Sequence, residues 1–431
     1  FGYRGNLQFV FVGIIPYFAG TIFNTFYIRK NKIRYRLNSK HLLIFGLLGL
    51  TWIIAILRGA IYKIDQLTFF TLGMGLTWII LMTFYFQALV ISPADMSERA
   101  NRSAVYAAGV FVFVNLVLHL LGIRSPDELF LAKYPAQMLS LLGIQTYRVV
   151  FPMASGFNSF GNLAGAALAS LPFILRDRTT RTLEKIMVCV LLVSSLVSIL
   201  LTDSRGPLFF SAVTLGLMIL PKQLFSVLRW VLIGATILLP FLLINPPPFL
   251  VEKMSFLSRP ASEWQEQAIE TTEDCSPLAS ESSGFLTNRT AIWKATVADL
   301  SFTNPYSYIG YGFRGQLISG VSKKYSCLFT SYENQIFISS HQMWLQTIMD
   351  IGIIGLAITL IAFVFLILEL DRDQTYPVKG ANSAYSAYLL YIVAIGTLES
   401  SLYPDAFELF IIVFLLLTGT VVKKKESRKY D

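Results

Sequence analysis

Three side chains able to hold an anion or move a proton stand out in the sequence, two of them where polar sequence meets apolar sequence and one within a long polar stretch. Arg205 lies in Thr202-Asp203-Ser204-Arg205-Gly206-Pro207, a tight turn between two short apolar runs. Ser204 and the unbonded backbone N–H groups opening the next helix would add to its affinity for an anion. The plainer alternative is lipid anchoring, because Arg at a membrane edge commonly snorkels to headgroup phosphate. Arg289 and Trp293 stand four apart and share a face if that stretch is helical; Arg-over-Trp packing is the plain reading of such a pair. His341 closes a long polar stretch at Ser339-Ser340-His341-Gln342, directly against a new apolar run. A neutral imidazole there can accept a proton from a hydroxyl, or simply hydrogen-bond within the fold.

Other candidates are weaker. His41 sits beside a basic connector and His119 within an apolar run, so both read as structural. Gly310-Tyr311-Gly312-Phe313-Arg314-Gly315 is glycine-rich but lacks the strand-loop-helix setting of a nucleotide fingerprint, so it reads as a mobile turn. Asp203, Asp299, Glu399 and Asp405 fall near the same end of the apolar runs, yet form no acidic pair and no Asp-x-Asp motif. Neither they nor any Cys/His cluster indicates a metal. Cys275 and Cys327 share the long polar stretch and could form a disulfide if it lies outside the cell; two free thiols are the alternative.

The elements that must position these residues are membrane helices. Of 431 residues, 54% are hydrophobic and only 14% charged, well below the roughly one quarter charged of soluble domains. That balance argues against a large soluble core. The net charge of +9 does not indicate a nucleic-acid partner either, because the Lys and Arg residues punctuate the apolar runs. Spans are expected at about 7–28, 41–62, 67–91, 104–121, 157–175, 186–201, 207–220, 230–244, 343–370, 384–403 and 407–422. Gly156, Gly161 and Gly165 would allow close helix contact around the fifth. A mixed segment, 122–156, contains Arg148.

Connectors after the odd-numbered spans hold the dense Lys/Arg clusters, which places them and the basic tail in the cytoplasm and the long polar loop outside. The fold class is thus an all-α polytopic membrane protein with about eleven visible helices. It divides into residues 1–244 (N-terminal helices), 245–342 (the long outer loop) and 343–431 (C-terminal helices and tail). With the tail inside, Phe1 falls outside, and one further span before it would bring the total to about twelve. A transporter or flippase would line several spans with polar residues at mid-membrane; Arg58 is the main charged residue well inside an early span.

Three motifs together resemble the O-antigen ligase and polymerase superfamily of bacterial envelope glycosyltransferases. They are Ser204-Arg205-Gly206, Arg289-x-x-x-Trp293 followed by Gly310-Tyr311-Gly312, and His341-Gln342, nine residues, then Gly352-Ile353-Ile354-Gly355. One departure is Phe209, where the family's Arg-x-x-x-Leu version of the first motif has Leu. The resemblance implies a GT-C-like architecture in the bacterial inner membrane, with the long loop in the periplasm. It implies glycan transfer without metal or cofactor, from an undecaprenyl-pyrophosphate donor to a hydroxyl of lipid A-core (ligase) or of a lipid-linked repeat unit (polymerase). In that scheme Arg205 and Arg289 hold the pyrophosphate, His341 is the base, and Arg148 and Arg314 are secondary anion contacts.

Overall fold

In the computed structural model the described residues are 2–33, 36–62, 66–91, 93–125, 135–154, 157–176, 180–220, 222–244, 289–301, 303–325, 340–372, 381–399 and 421–422. All of the expected eleventh span but Val421–Val422, together with Phe1, Asp405, Cys275, Cys327 and Gly156, lies outside them. Cys189 carries a free thiol.

Long apolar helices form the body: α1 (Gly2–Lys30), α2 (Ser39–Tyr62), α3 (Gln66–Ile91), α4 (Pro93–Leu120), the short α5 (Gln137–Ser140), α6 (Phe157–Leu175), α7 (Thr182–Thr202), α8 (Arg205–Ile219) and α9 (Lys222–Ile244). Four short helices follow from the long polar loop: α10 (Arg289–Asp299), α11 (Pro305–Ile309), α12 (Gly315–Ser319) and α13 (Val321–Tyr325). α14 (Met343–Arg372) and α15 (Ala381–Ile395) complete the bundle. Three segments, Ser39–Ile61, Thr182–Thr202 and Met343–Leu368, are each long and apolar enough to cross a membrane, and several shorter apolar helices accompany them.

α15 is the central helix. From Tyr388 to Ile395 every residue is buried, as expected for a helix apolar on all sides, and it packs against α4, α6, α8 and α9. Small residues permit these approaches. A Cβ on Gly165 would lie 2.2 Å from the Tyr391 hydroxyl, and one on Gly161 would lie 2.2 Å from Ser204 Oγ, so both glycines serve the close contact expected of them.

Two ends of the bundle differ in character. At one, a two-residue antiparallel ladder pairs Arg36–Leu37 with Val421–Val422, bringing the first basic connector to the segment before the basic tail. At the same end Arg102 pairs with Glu184 at 3.2 Å, joining the third and fifth connectors. The opposite end gathers the α7–α8 turn, the loop helices, the start of α14 and the end of α15.

α15 departs from the expected tenth span by stopping at Ile395. Gly396 is packed by Met343, whose Sδ and Cε would lie 2.8 Å from an added Cβ, and the Met343 N–H donates to Gly396 O at 2.8 Å. The unbonded donors opening α14 thus meet the unbonded acceptors closing α15, and the chain turns through 396–399 instead of continuing as helix.

Candidate active site

The α7–α8 turn is built by local hydrogen bonding. Asp203 adopts a left-handed conformation at φ 52°, and Asp203 N and Ser204 N return to the carbonyls of Leu200 and Ile199. This satisfies the last acceptors of α7. Arg205 then opens α8. Its guanidinium donates to Gln137 Oε1 and lies 3.9 Å from Asp203 Oδ1, with 40% of the side chain still exposed. Arg148 is used differently. Only 9% of its side chain is exposed, and it donates to Thr202 O at 3.0 Å and Asp203 O at 3.2 Å. It braces the turn that carries Arg205.

Arg289 and Trp293 do share one face of α10, and that face is tied to two neighbours of His341, Ser340 and Glu399. Trp293 is fully buried, and its Nε1–H donates to Ser340 O at 2.9 Å. The Arg289 guanidinium pairs with Glu399 Oε1. His341 Nδ1 lies 3.4 Å from the other carboxylate oxygen, Glu399 Oε2. One carboxylate therefore bridges the cation and the imidazole. Burial alone would raise the Glu399 carboxyl, but the Arg289 guanidinium and the His341 ring beside it outweigh burial and hold it below the usual carboxylate range.

His341 has φ 47°, a left-handed conformation that costs a non-glycine residue about 1–3 kcal/mol. Its neighbours sustain that conformation. Ser340 N donates to Gln346 Oε1 at 3.1 Å and Ser340 Oγ to Gln342 O at 3.0 Å. Gln342 Oε1 in turn accepts from Leu345 N at 2.6 Å, capping the first turn of α14. Gln346 Nε2 donates to Gln316 Oε1 and Asp350 Oδ1, tying this corner to α12.

The glycine-rich stretch is packed, correcting the expectation of a mobile turn. A Cβ on Gly310 would lie 2.2 Å from Asp350 O, one on Gly315 2.1 Å from Met349 O, and one on Gly312 2.9 Å from Gly59 N. Glycine is required because backbone meets backbone there. Gly352, at φ 72°, breaks α14 against Tyr308 O. Arg314 lies in this packed loop, 6% exposed and at φ 66°, with its guanidinium 5.4 Å over the Phe313 ring. Arg58 donates to the carbonyls of Ile309 and Gly310, so it anchors the loop from α2. His41 packs on Phe365, and His119 lies beside Arg124 and Phe151, both as structural residues.

The structure thus brings Arg289 and His341 together at Glu399. The turn that carries Arg205 packs on the segment before Glu399, since a Cβ added at Gly206 would lie 3.3 Å from Leu398 Cδ1; the Arg205 guanidinium itself is held by Gln137 and Asp203. Sequence reasoning placed Glu399 near the outer face without a role; a lone carboxylate at the end of an apolar span was its signal. Gln137 gave none. Among the described residues no group of His, Cys, Asp and Glu is arranged to hold a metal.

The fold is that of a helical protein with three segments long and apolar enough to cross a membrane, and one end of its bundle brings Arg289, Glu399 and His341 together. Residues 190–360 match the family model described as O-Antigen ligase, and the resemblance to the O-antigen ligase and polymerase superfamily holds over that stretch. The matched segment contains Arg205, Arg289, Arg314 and His341, and ends before Glu399. No curated protein matches the chain. The family supports a ligase- or polymerase-type glycosyltransferase acting in a membrane on lipid-linked glycans.

Proposed function

We propose that the chain transfers a glycan from undecaprenyl pyrophosphate to a hydroxyl of lipid A-core at the periplasmic face of the bacterial inner membrane, with no metal. The observation that carries this reading is the Arg289–Glu399–His341 group beside the Arg205 turn. With its Nδ1–H donating to Glu399, the imidazole keeps a lone pair on Nε2 for the acceptor proton. The acceptor oxygen bonds to the anomeric carbon as the bond from that carbon to the pyrophosphate oxygen breaks. His341 takes the hydroxyl proton. The pyrophosphate leaves with its lipid, its charge met by Arg205 and Arg289, whose planar forks suit phosphate oxygens. Arg148 acts through the turn it braces, and Arg314 is kept as a secondary anion contact.

A polymerase performs the same chemistry with a lipid-linked repeat unit as acceptor. Phe209 does not choose between the two: it is 62% exposed and stacks edge-on to Phe210. The test is reconstituted transfer with purified lipid-linked donor, with and without lipid A-core. Product only with lipid A-core supports the ligase, and chain extension without it makes the protein a polymerase. EDTA should leave the rate unchanged. His341→Ala should lose transfer by roughly 10²-fold or more; near-normal turnover by that variant would remove His341 as the base.

A further inference from the structure

The segment from Ala136 to Tyr147, which the transfer reaction does not use, has the construction of a membrane-interface anchor. It contains no Asp, Glu, Lys or Arg. Ala136 and Leu139 are buried against the bundle, while four side chains beyond them are exposed: Leu141 86%, Leu142 66%, Tyr147 63% and Ile144 53%. Leu120 and Leu121, at the end of α4 on the same end of the bundle, extend the apolar surface. In water such a protruding tip would be costly.

The backbone of the tip is closed on itself. A bridge joins Pro135 to Tyr147, and Ala136 N donates to Thr146 O at 2.8 Å. The N–H groups of Ser140, Leu141, Leu142, Gly143 and Ile144 all donate within the segment, with Gly143 at φ 79° allowing the turn. Internal satisfaction of backbone donors is what a low-dielectric surrounding demands and water does not. An apolar, uncharged, internally bonded tip ending in an exposed tyrosine therefore matches the headgroup–acyl boundary, where amphipathic rings settle.

The segment is also bolted to the Arg205 turn. Met138 N donates to Asp203 Oδ1 at 2.9 Å, and Gln137 Oε1 accepts from Arg205. We infer that Ala136–Tyr147 inserts into the outer interface of the bilayer and holds the Arg205 guanidinium at the depth of lipid phosphates. The occupant of this apolar surface is lipid, not a second copy of the chain or another protein. The insertion stands on the segment's own geometry, whatever reaction the site performs.

The test uses the full chain with Cys189, Cys275 and Cys327 replaced by Ser, and a single cysteine introduced by Leu141→Cys or Ile144→Cys. Each is labelled with an environment-sensitive fluorophore and reconstituted in phosphatidylethanolamine–phosphatidylglycerol vesicles; Ser301→Cys, on the exposed loop, is the control. Emission from positions 141 and 144 should be blue-shifted and quenched by nitroxide-bearing acyl chains but not by aqueous iodide, with the reverse at position 301. Iodide quenching at 141 and 144 would overturn the inference. Shielding from both quenchers would also overturn it, by pointing to a protein partner. If the cysteine-free chain fails to fold, Leu142→Trp compared with the parent chain in brominated lipid measures the same insertion: added quenching supports it, and none overturns it. Because the probe reports position and not turnover, its result stands apart from any assay of transfer.

Discussion

His341 Nδ1 lies 3.4 Å from Glu399 Oε2, although the two residues are 58 apart in the chain. Their meeting follows from the junction of two helix ends. Met343 N bonds Gly396 O where α14 begins and α15 closes, so the residues just outside each helix are placed side by side. The same carboxylate takes Arg289, which ties the long polar loop to the bundle through charge-assisted bonds.

Glu399→Gln keeps the size of the side chain and removes its charge. Without the carboxylate the imidazole loses its orienting partner, and the imidazolium formed during proton uptake loses its counter-charge. Transfer should fall by roughly 10–100-fold while membrane expression is retained. The ratio of kcat for the two proteins, measured on one preparation of lipid-linked donor, checks this. Unchanged kcat would reduce Glu399 to a structural ion pair.

The pH dependence has a definite sign. The Glu399 carboxyl is held below its ordinary value by Arg289 and His341 against the opposing effect of burial, so the unfolded chain binds that proton at higher pH than the folded chain does. The pairing contributes stability that is present above about pH 4.3, the unfolded carboxylate value, and is lost as pH falls through the folded value. Thermal unfolding of the parent and of Glu399→Gln should therefore differ at neutral pH and converge in acid. A difference that persists or widens in acid would contradict the assignment.

Arg205→Lys preserves charge but not the fork. The parent guanidinium reaches Gln137 on one side and Asp203 on the other while 40% of its side chain stays exposed; a single ammonium cannot hold that geometry. Donor affinity, read as KM for the lipid-linked substrate, should weaken by about 10-fold or more, the loss of about 1.4 kcal/mol or more of binding. Undiminished donor binding would sink the clamp.

Gly315→Ala tests the packed glycine loop. Its new methyl would fall 2.1 Å from Met349 O, a backbone atom that cannot swing aside. Overpacking of this kind costs about 1–3 kcal/mol, so the unfolding temperature should drop measurably. Gly122 has positive φ, which Gly315 lacks, and nothing within 4 Å of an added Cβ, so Gly122→Ala should destabilise through backbone strain alone and Gly315→Ala through clash alone. An unchanged unfolding temperature for Gly315→Ala would remove steric packing as the reason for that glycine.

Much of this protein was legible before any fold was known. Apolar length and the spacing of Lys and Arg are local properties, so α2, α3 and α6 fall within a few residues of the expected spans. The end of α15 was not legible, because Ile395–Glu399 is stopped by a contact with Met343 far upstream. Gly310-x-Gly312 read as loose for a related reason: glycine permits mobility and close packing alike, and only the presence of Asp350 O and Gly59 N beside it decides between them.

The chemistry divides the same way. Sequence alone determined that Arg205 and His341 stand at polar–apolar junctions and that Arg289 lies within the long polar stretch, since residue type and hydropathy are written in order along the chain. Tertiary structure alone decided that Arg148 braces a turn, that Arg289 and His341 share one carboxylate, and that Trp293 bonds Ser340 beside the strained His341. Hydrogen bonds and ion pairs act over a few ångströms, and the partners here come from helices separated by tens to more than a hundred residues. Which of them fall within that range is set by how helix ends meet, and no local pattern records it.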